Sequence, residues 1–138
     1  MIAYIDSSAL LRVILGRSDR LTEWPAIDEA VASELIEVEC LRTLDRLRVL
    51  GKLTDEEVSV RRDAVYRVLD EFHLVGLGRA VLARASHPFP TLLGTLDALH
   101  LATALLWRET VRSDLVVATH DTQLAAAARA SGLPVVGV

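Results

Sequence analysis

Cysteine is almost absent from this sequence: Cys40 is the only one among 138 residues. A disulfide within the chain is therefore excluded, and the composition fits a reducing compartment. Cys40 falls in a helical stretch without a cysteine or histidine neighbour. We expect a structural thiol, buried or half-buried, and not a catalytic one.

Aromatic residues and net positive charge are also scarce. Phe, Trp and Tyr make up 4% of the residues, which argues against a base-stacking platform for nucleic acid. The 15 basic residues are outnumbered by 19 acidic ones, and the net charge of −4 argues against passive electrostatic binding of nucleic acid. Every basic residue except Lys52 is an arginine. Arginine suits bidentate phosphate contacts, but a genome-wide codon preference explains the same skew more simply.

No apolar run is long enough to span a bilayer. The longest, Ala98 to Trp107, contains His100, and the apolar N-terminus lacks a basic leader and is interrupted by Asp6. We expect a cytoplasmic protein without a membrane segment. The hydrophobic share of 51% over 138 residues predicts one core, and hence a single domain over residues 1–138.

What the sequence does contain is an alternation of short β-branched runs and longer helical stretches. The predicted strands are Ile2 to Ile5, Ala30 to Ser33, Leu74–Val75, Leu115 to Ala118 and Pro134 to Val138. The predicted helices are Ser7 to Leu15, Glu34 to Leu50, Thr54 to Glu71, Arg79 to Ser86, Thr95 to Trp107, and one capped by Asp121 that runs to Ser131. This order implies right-handed βαβ crossovers and a mainly parallel sheet covered by helices on both faces.

Acidic side chains follow two of the predicted strands. Asp6 comes directly after the first strand and Asp121 after the fourth, so both are placed at the carboxyl edge of the sheet, where such sheets bind ligands. Each also has a structural interpretation as a helix N-cap. Ser7 or Ser8 can cap the first helix instead, which leaves Asp6 less well explained by capping.

Asp97 is the only acid in a helix that is apolar nearly all round. A buried carboxylate is costly unless it pairs, takes up a proton or holds a cation. Its place in the first helical turn supplies part of the compensation. We therefore favour a functional role for Asp97.

Near the start of the second predicted helix lie three further acids: Glu34, Glu37 and Glu39. Glu39 lies on the flank of the apolar stripe, with Arg42 one turn on, and taken alone these two read as a surface ion pair. Helical periodicity does not separate Glu39 from Glu37.

Taken together, carboxylates gathered at one sheet edge repel each other unless a hard cation neutralises them. The four histidines are scattered and have no zinc spacing. Mg²⁺ or Mn²⁺ is the natural occupant, with coordination positions left for phosphate oxygens and water.

Four segments, in order and over the whole chain, resemble the motifs of PIN-domain nucleases, especially the VapC-type toxins of bacterial toxin–antitoxin pairs. They are Tyr4 to Leu10, Ser33 to Arg42 with the pattern Ser-x5-Glu-x2-Arg, Leu96 to Ala104, and Ala118 to Leu124 followed by Gly132 to Val135. Each motif is weak alone, but the ordered set is specific. The second motif selects Glu39 over Glu34 and Glu37.

The resemblance implies a three-layer α/β/α fold with a parallel five-stranded sheet and RNA cleavage that depends on Mg²⁺ or Mn²⁺. It implies a metal site of four acids: Asp6, Glu39, Asp97 and Asp121. Ser7 and Thr119 would support this site by hydrogen bonds to a carboxylate or a metal-bound water. Arg42 is expected to orient Glu39, or failing that to contact phosphate. The expected partners are RNA, a second copy of the chain, and an antitoxin with a basic segment.

Two other functions compete with this interpretation. A phospho-accepting signalling domain also gathers aspartates around Mg²⁺, but it needs a lysine near the end of a late strand, and Lys52 lies in a turn after the second predicted helix. A catalytically silent protein-binding module of the same fold is disfavoured by the complete set of four acids.

Overall fold

A computed structural model describes residues 1–138. Its strands are β1 (Ile2–Ile5), β2 (Glu29–Ser33), β3 (His73–Val75), β4 (Val116–Ala118) and β5 (Val135–Val136). Its α-helices are α1 (Ser7–Ile14), α2 (Leu35–Val49), α3 (Asp55–Asp70), α4 (Arg79–Ala85), α5 (Thr95–Val111) and α6 (Thr122–Ala130). One further turn of 3₁₀-helix, Trp24–Ala26, begins where Pro25 fixes the backbone.

The five strands form one parallel sheet in the order β3-β2-β1-β4-β5. β1 is central: Tyr4 pairs with Val31 of β2 on one side and with Val117 of β4 on the other. Every strand pair is parallel. The predicted parallel α/β sheet and its five strands are therefore confirmed.

Alternate residues of β1 face two different hydrophobic clusters, so helices cover both faces of the sheet. Ala3 and Ile5 pack with buried side chains of α1, α2 and α3. Tyr4 points to the other face and packs with α5 and α6. This period-two alternation gives the expected three layers, helices–sheet–helices.

The structure moves several predicted boundaries by a few residues. The longest change is in α5, which continues through Arg108 to Val111, beyond the apolar run that ended the prediction at Trp107. The helix ends where Arg112 adopts a left-handed conformation. β5 is shorter than predicted because Gly137, with φ of +101°, turns the chain out of the sheet.

Cys40 is fully buried in the core on the α2 face of the sheet. Burial and the nearby charges of Glu39 and Asp6 raise the pKa of its thiol to about 12. The thiolate is therefore suppressed, and the expectation of a structural cysteine is confirmed. None of the helices combines the length and the apolar character needed to cross a membrane.

Candidate active site

The site lies where the strand order reverses. The chain continues from central β1 to β2 and β3 on one side, and then crosses to β4 and β5 on the other. In parallel sheets such a reversal opens a crevice at the carboxyl ends of the two strands. Asp6 directly follows β1, and its N–H donates to the carbonyl oxygen of Ala118, the last residue of β4, at 3.0 Å. Residues after β1 and β4 thereby meet.

Asp6 is buried, and hydroxyl groups hold one of its two carboxylate oxygens. Oδ2 accepts hydrogen bonds from Ser8 Oγ at 2.6 Å and from Thr119 Oγ1 at 2.8 Å. No protein donor bonds Oδ1. Oδ1 is thus left without a protein donor, while the bonds to Oδ2 fix the orientation of the carboxylate.

Ser8, and not Ser7, bonds the Asp6 carboxylate, whereas a bond from Ser7 to a metal-bound water stays a prediction. Asp6 is the N-cap of α1. A capping side chain lies beside the second helical residue, which here is Ser8. Ser8 Oγ also accepts the N–H of His120 at 2.9 Å, which joins the β1 and β4 loops. Ser7 instead lines a groove beside Glu39.

Asp121 caps α6 and still presents an oxygen. Its Oδ1 accepts the N–H groups of Gln123 at 2.8 Å and of Leu124 at 3.0 Å, whereas Oδ2 has no protein donor. The capping interpretation is correct, and it does not exclude a functional one. The backbone N–H of Asp121 donates to Thr119 Oγ1 at 3.0 Å, so one threonine hydroxyl orders both Asp6 and Asp121.

Asp97 lies in the first turn of α5, half-buried beside the other acids. Burial, followed by the charges of Asp121 and Asp6, raises the pKa of this carboxyl to about 6, and His100 opposes the rise. A further small rise comes from Glu39. The four predicted acids therefore share one electrostatic environment.

The structure separates the three acids around α2. Glu39 reaches into the site, where its Oε1 bonds His100 Nε2 at 2.5 Å. Glu34 turns away and accepts the N–H of Leu77 at 3.0 Å in the loop after β3. Glu37 is exposed and its side chain makes no hydrogen bond. Among the three, Glu39 alone joins Asp6 and Asp97.

Arg42 does not orient Glu39, which corrects the first of its two expected roles. Its Nη1 pairs with Asp45 Oδ2 at 3.1 Å, one turn further along α2. The residue that bonds Glu39 is His100, one of four histidines that lie scattered along the sequence. A histidine three residues after Asp97 on the same helix is the signal that was available, because residues three apart share a face.

The oxygen-only donor set fits a hard divalent cation. Asp6, Glu39 and Asp121 each commit one oxygen to protein donors and leave the other without one. Asp97 has a raised pKa that a nearby cation would lower again. No three acidic, histidine or cysteine side chains stand close enough together to hold a metal ion by themselves. Mg²⁺ does not need three such side chains, because it binds through one or two carboxylates and keeps several waters.

Comparison with known proteins places this arrangement in a family. A family model described as PIN domain matches residues 3–133. Ribonuclease VapC46 of Mycobacterium tuberculosis is 31% identical over 141 residues, which cover 96% of this chain and 95% of that protein.

Two solved structures share the fold at low identity. FitAB bound to an IR36 DNA fragment matches with a TM-score of 0.69 and 15% identity, over 98% of this chain and 93% of the other. A toxin–antitoxin complex from Klebsiella pneumoniae matches with a TM-score of 0.62 and 18% identity, over 97% and 95%.

Proposed function

The chain belongs to the PIN domain family, and from this premise we propose that it is an Mg²⁺- or Mn²⁺-dependent endoribonuclease, the toxin of a toxin–antitoxin pair. The single observation that carries the proposal is the meeting of Asp6, Glu39, Asp97 and Asp121 at the switch point between β1 and β4. The ribonuclease at 31% identity over nearly the whole chain supports the reaction class. We propose that residues 1–138 form one such nuclease domain and act in the cytoplasm.

One or two of the four carboxylates would hold the cation directly, through oxygens that protein donors leave free, and the others would act through its bound waters. When bound, the cation offsets the carboxylate charges, draws a phosphate oxygen and makes a bound water more nucleophilic. The reaction is hydrolysis: water adds to phosphorus, and one P–O bond of the RNA backbone breaks. Thr119 and Ser8 keep Asp6 oriented, and the α6 N–H groups do the same for Asp121.

A polar groove of about 320 Å³ beside Glu39 is the path we propose for the RNA strand. Ser7, Thr43, Arg42 and Arg46 line it together with Glu39. Arg46 is exposed and its guanidinium takes part in no ion pair or hydrogen bond, so it is available to a phosphate. These two arginines supply local positive charge in a protein whose net charge is −4. This is the phosphate role that the sequence left as the second possibility for Arg42.

The assignment is tested by cleavage of a labelled single-stranded RNA with three variants. Asp97→Asn and Glu39→Gln should each remove most activity, because each deletes a carboxylate charge at nearly constant shape. Glu37→Gln is the matched control on the same helix, and it should cleave like the native protein. A Glu37→Gln loss larger than that of Glu39→Gln would exclude the four-acid site.

We propose two protein partners for this nuclease. The first is an antitoxin with a basic segment, whose arginine would pair with Asp6 and Asp97 and block cation or phosphate entry. The second is another copy of the chain, a homodimer supported by exposed leucines on and after α4 (Leu82 at 42% and Leu92 at 84% exposure).

Co-expression with a small adjacent reading frame, followed by co-purification, tests the antitoxin. A captured small basic protein should abolish RNA cleavage, and the Asp6→Asn variant should bind it less tightly. A chain that cleaves RNA freely, captures no partner and is tolerated at high expression would refute the regulation but not the nuclease. The mass in solution tests the homodimer. Leu82→Glu is expected to dissociate it, and Leu50→Glu, at the more exposed C-cap of α2, is expected not to.

A further inference from the structure

The buried pair Tyr4 and His100 connects the core of the molecule to Glu39. Both residues are 1% exposed, although each carries polar atoms, and they come from different layers: β1 and α5. Tyr4 Oη lies 2.7 Å from His100 Nδ1, and His100 Nε2 lies 2.5 Å from Glu39 Oε1. Buried polar groups in such a chain must satisfy one another, so the direction of each hydrogen bond can be worked out.

The direction is set at the far end, by the backbone of β2. The N–H of Ser33 donates to Tyr4 Oη at 3.2 Å, so this oxygen already accepts one hydrogen bond. Burial raises the pKa of Tyr4 well above its usual value, so the hydroxyl keeps its proton. With the neutral imidazole, that proton is donated to His100 Nδ1. The opposite nitrogen, Nε2, then carries the ring hydrogen and donates it to Glu39.

The donor at Nε2 persists when the ring is charged. An imidazolium carries hydrogens on both nitrogens, and Nε2 again donates to Glu39. Only the neutral tautomer with its hydrogen on Nδ1 would turn a lone pair toward the carboxylate, and the Tyr4 hydroxyl disfavours that form.

We infer that His100 is a positioning residue for Glu39 and that Tyr4 fixes the tautomer in which it acts. His100 Nε2 also lies 3.9 Å from Asp6 Oδ1, so the same N–H group stands between two acids that belong to different elements. It holds Glu39 Oε1 and leaves Oε2 without a protein donor. This inference rests on the proposed metal-dependent function and adds His100 and Tyr4 to the four acids.

Three variants separate positioning from packing. His100→Leu removes the donor, His100→Gln keeps an amide N–H close to the position of Nε2, and Tyr4→Phe removes only the hydroxyl. Calorimetric titration with Mn²⁺ alone should show affinity falling about 10–100-fold in His100→Leu, the usual effect of losing a hydrogen bond to a ligand. Affinity should recover largely in His100→Gln and fall by an intermediate factor in Tyr4→Phe. In RNA cleavage, kcat should fall while KM changes little, because the groove that binds the strand is intact.

A long-range ¹H–¹⁵N spectrum of the histidine rings gives a readout that does not depend on activity. It should show a protonated Nε2 for His100 in the native protein and mixed tautomers in Tyr4→Phe. A native His100 with bare Nε2 would overturn the inference, as would native Mn²⁺ affinity in a folded His100→Leu or Tyr4→Phe. If His100→Leu does not fold, the Mn²⁺ affinities and ring spectra of His100→Gln and Tyr4→Phe still test the inference. Failure of the native protein to bind Mn²⁺ or cleave RNA would instead refute the proposed function.

Discussion

At the scale of single residues, Asp97 differs from the other three acids because no hydrogen bond holds it. Burial and neighbouring negative charge raise the pKa of its carboxyl, and only His100 lowers it. Asp6, Glu39 and Asp121 each have a protein donor on one oxygen. Ionisation of Asp97 therefore destabilises the metal-free fold, and a bound cation would offset this cost.

The raised pKa of Asp97 predicts a dependence of stability on pH in the absence of metal. The folded pKa of about 6 exceeds the unfolded value of 3.8, so the native state holds the proton more tightly. The free energy of unfolding should consequently fall as pH rises from about 4 to about 6, and the loss should persist above that range. Urea denaturation in EDTA should show that Asp97→Asn is stabilised relative to the native protein at about pH 8 but not at about pH 4. An Asp97→Asn variant that is less stable than the native protein at about pH 8 would contradict this.

Gly137 is the second residue with a specific consequence. With φ of +101°, a Cβ at this position would lie 2.4 Å from the carbonyl oxygen of Thr119, whose side chain orders Asp6 and Asp121. Gly137→Ala should reduce both stability and RNA cleavage, because the strand end that carries Thr119 must move. Gly51→Ala is the matched control: φ is +72° but nothing lies within 4 Å. It should lose about 1–3 kcal/mol of unfolding free energy from backbone strain alone and retain activity. Equal cleavage by the two variants would exclude a role for the Gly137 contact.

At the scale of elements, α2 carries the residues of two proposed roles along one face. Glu39 near its beginning enters the acid cluster, and Arg42 and Arg46 continue along the groove. The three positions are separated by three and four residues, the spacing that puts side chains on one side of a helix. A single helix thus relates the acid site to the proposed track of the RNA backbone.

Arg46→Gln should weaken binding of single-stranded RNA and reduce its salt dependence. Losing one phosphate contact lowers the slope of log K against log salt by about 0.7. The measurement is a salt titration of RNA binding in the inactive Asp97→Asn background. Arg67→Gln, which makes the same charge change on α3 beside Asp28 and Ala30 at the opposite sheet edge, is the control. Equal slopes for the two variants would remove the groove from the proposed RNA path.

The elements themselves were largely predictable from the sequence, and their ends and cross-connections were not. Alternating strands and helices gave the parallel sheet, because period-two and helical patterns are local properties. The end of α5 was missed because Arg108 to Val111 no longer follow the buried stripe, although they continue the helix. The bond of His100 to Glu39 spans 61 residues of sequence, and it becomes visible only when α5 packs against the sheet. Ser8 was passed over for Ser7 for a related reason: cap geometry decides between neighbouring hydroxyls.

At the scale of the whole molecule, the fold brings four acids together in a chain that is already acidic overall. The net charge of −4 and the cluster of carboxylates both oppose the approach of RNA. A bound cation would relieve this repulsion locally, and the arginines of α2 would add to the effect. We therefore expect RNA cleavage to require a hard divalent ion.

That requirement is measured by stripping the purified protein with EDTA and following cleavage of a labelled single-stranded RNA as Mg²⁺ or Mn²⁺ is added back. We predict no cleavage in EDTA and recovery of cleavage with either ion. Asp97→Asn should not recover at the same concentrations, because it lacks one of the proposed ligands. Cleavage at the full rate by the metal-free protein, or by Asp97→Asn with either ion, would contradict the four-acid site.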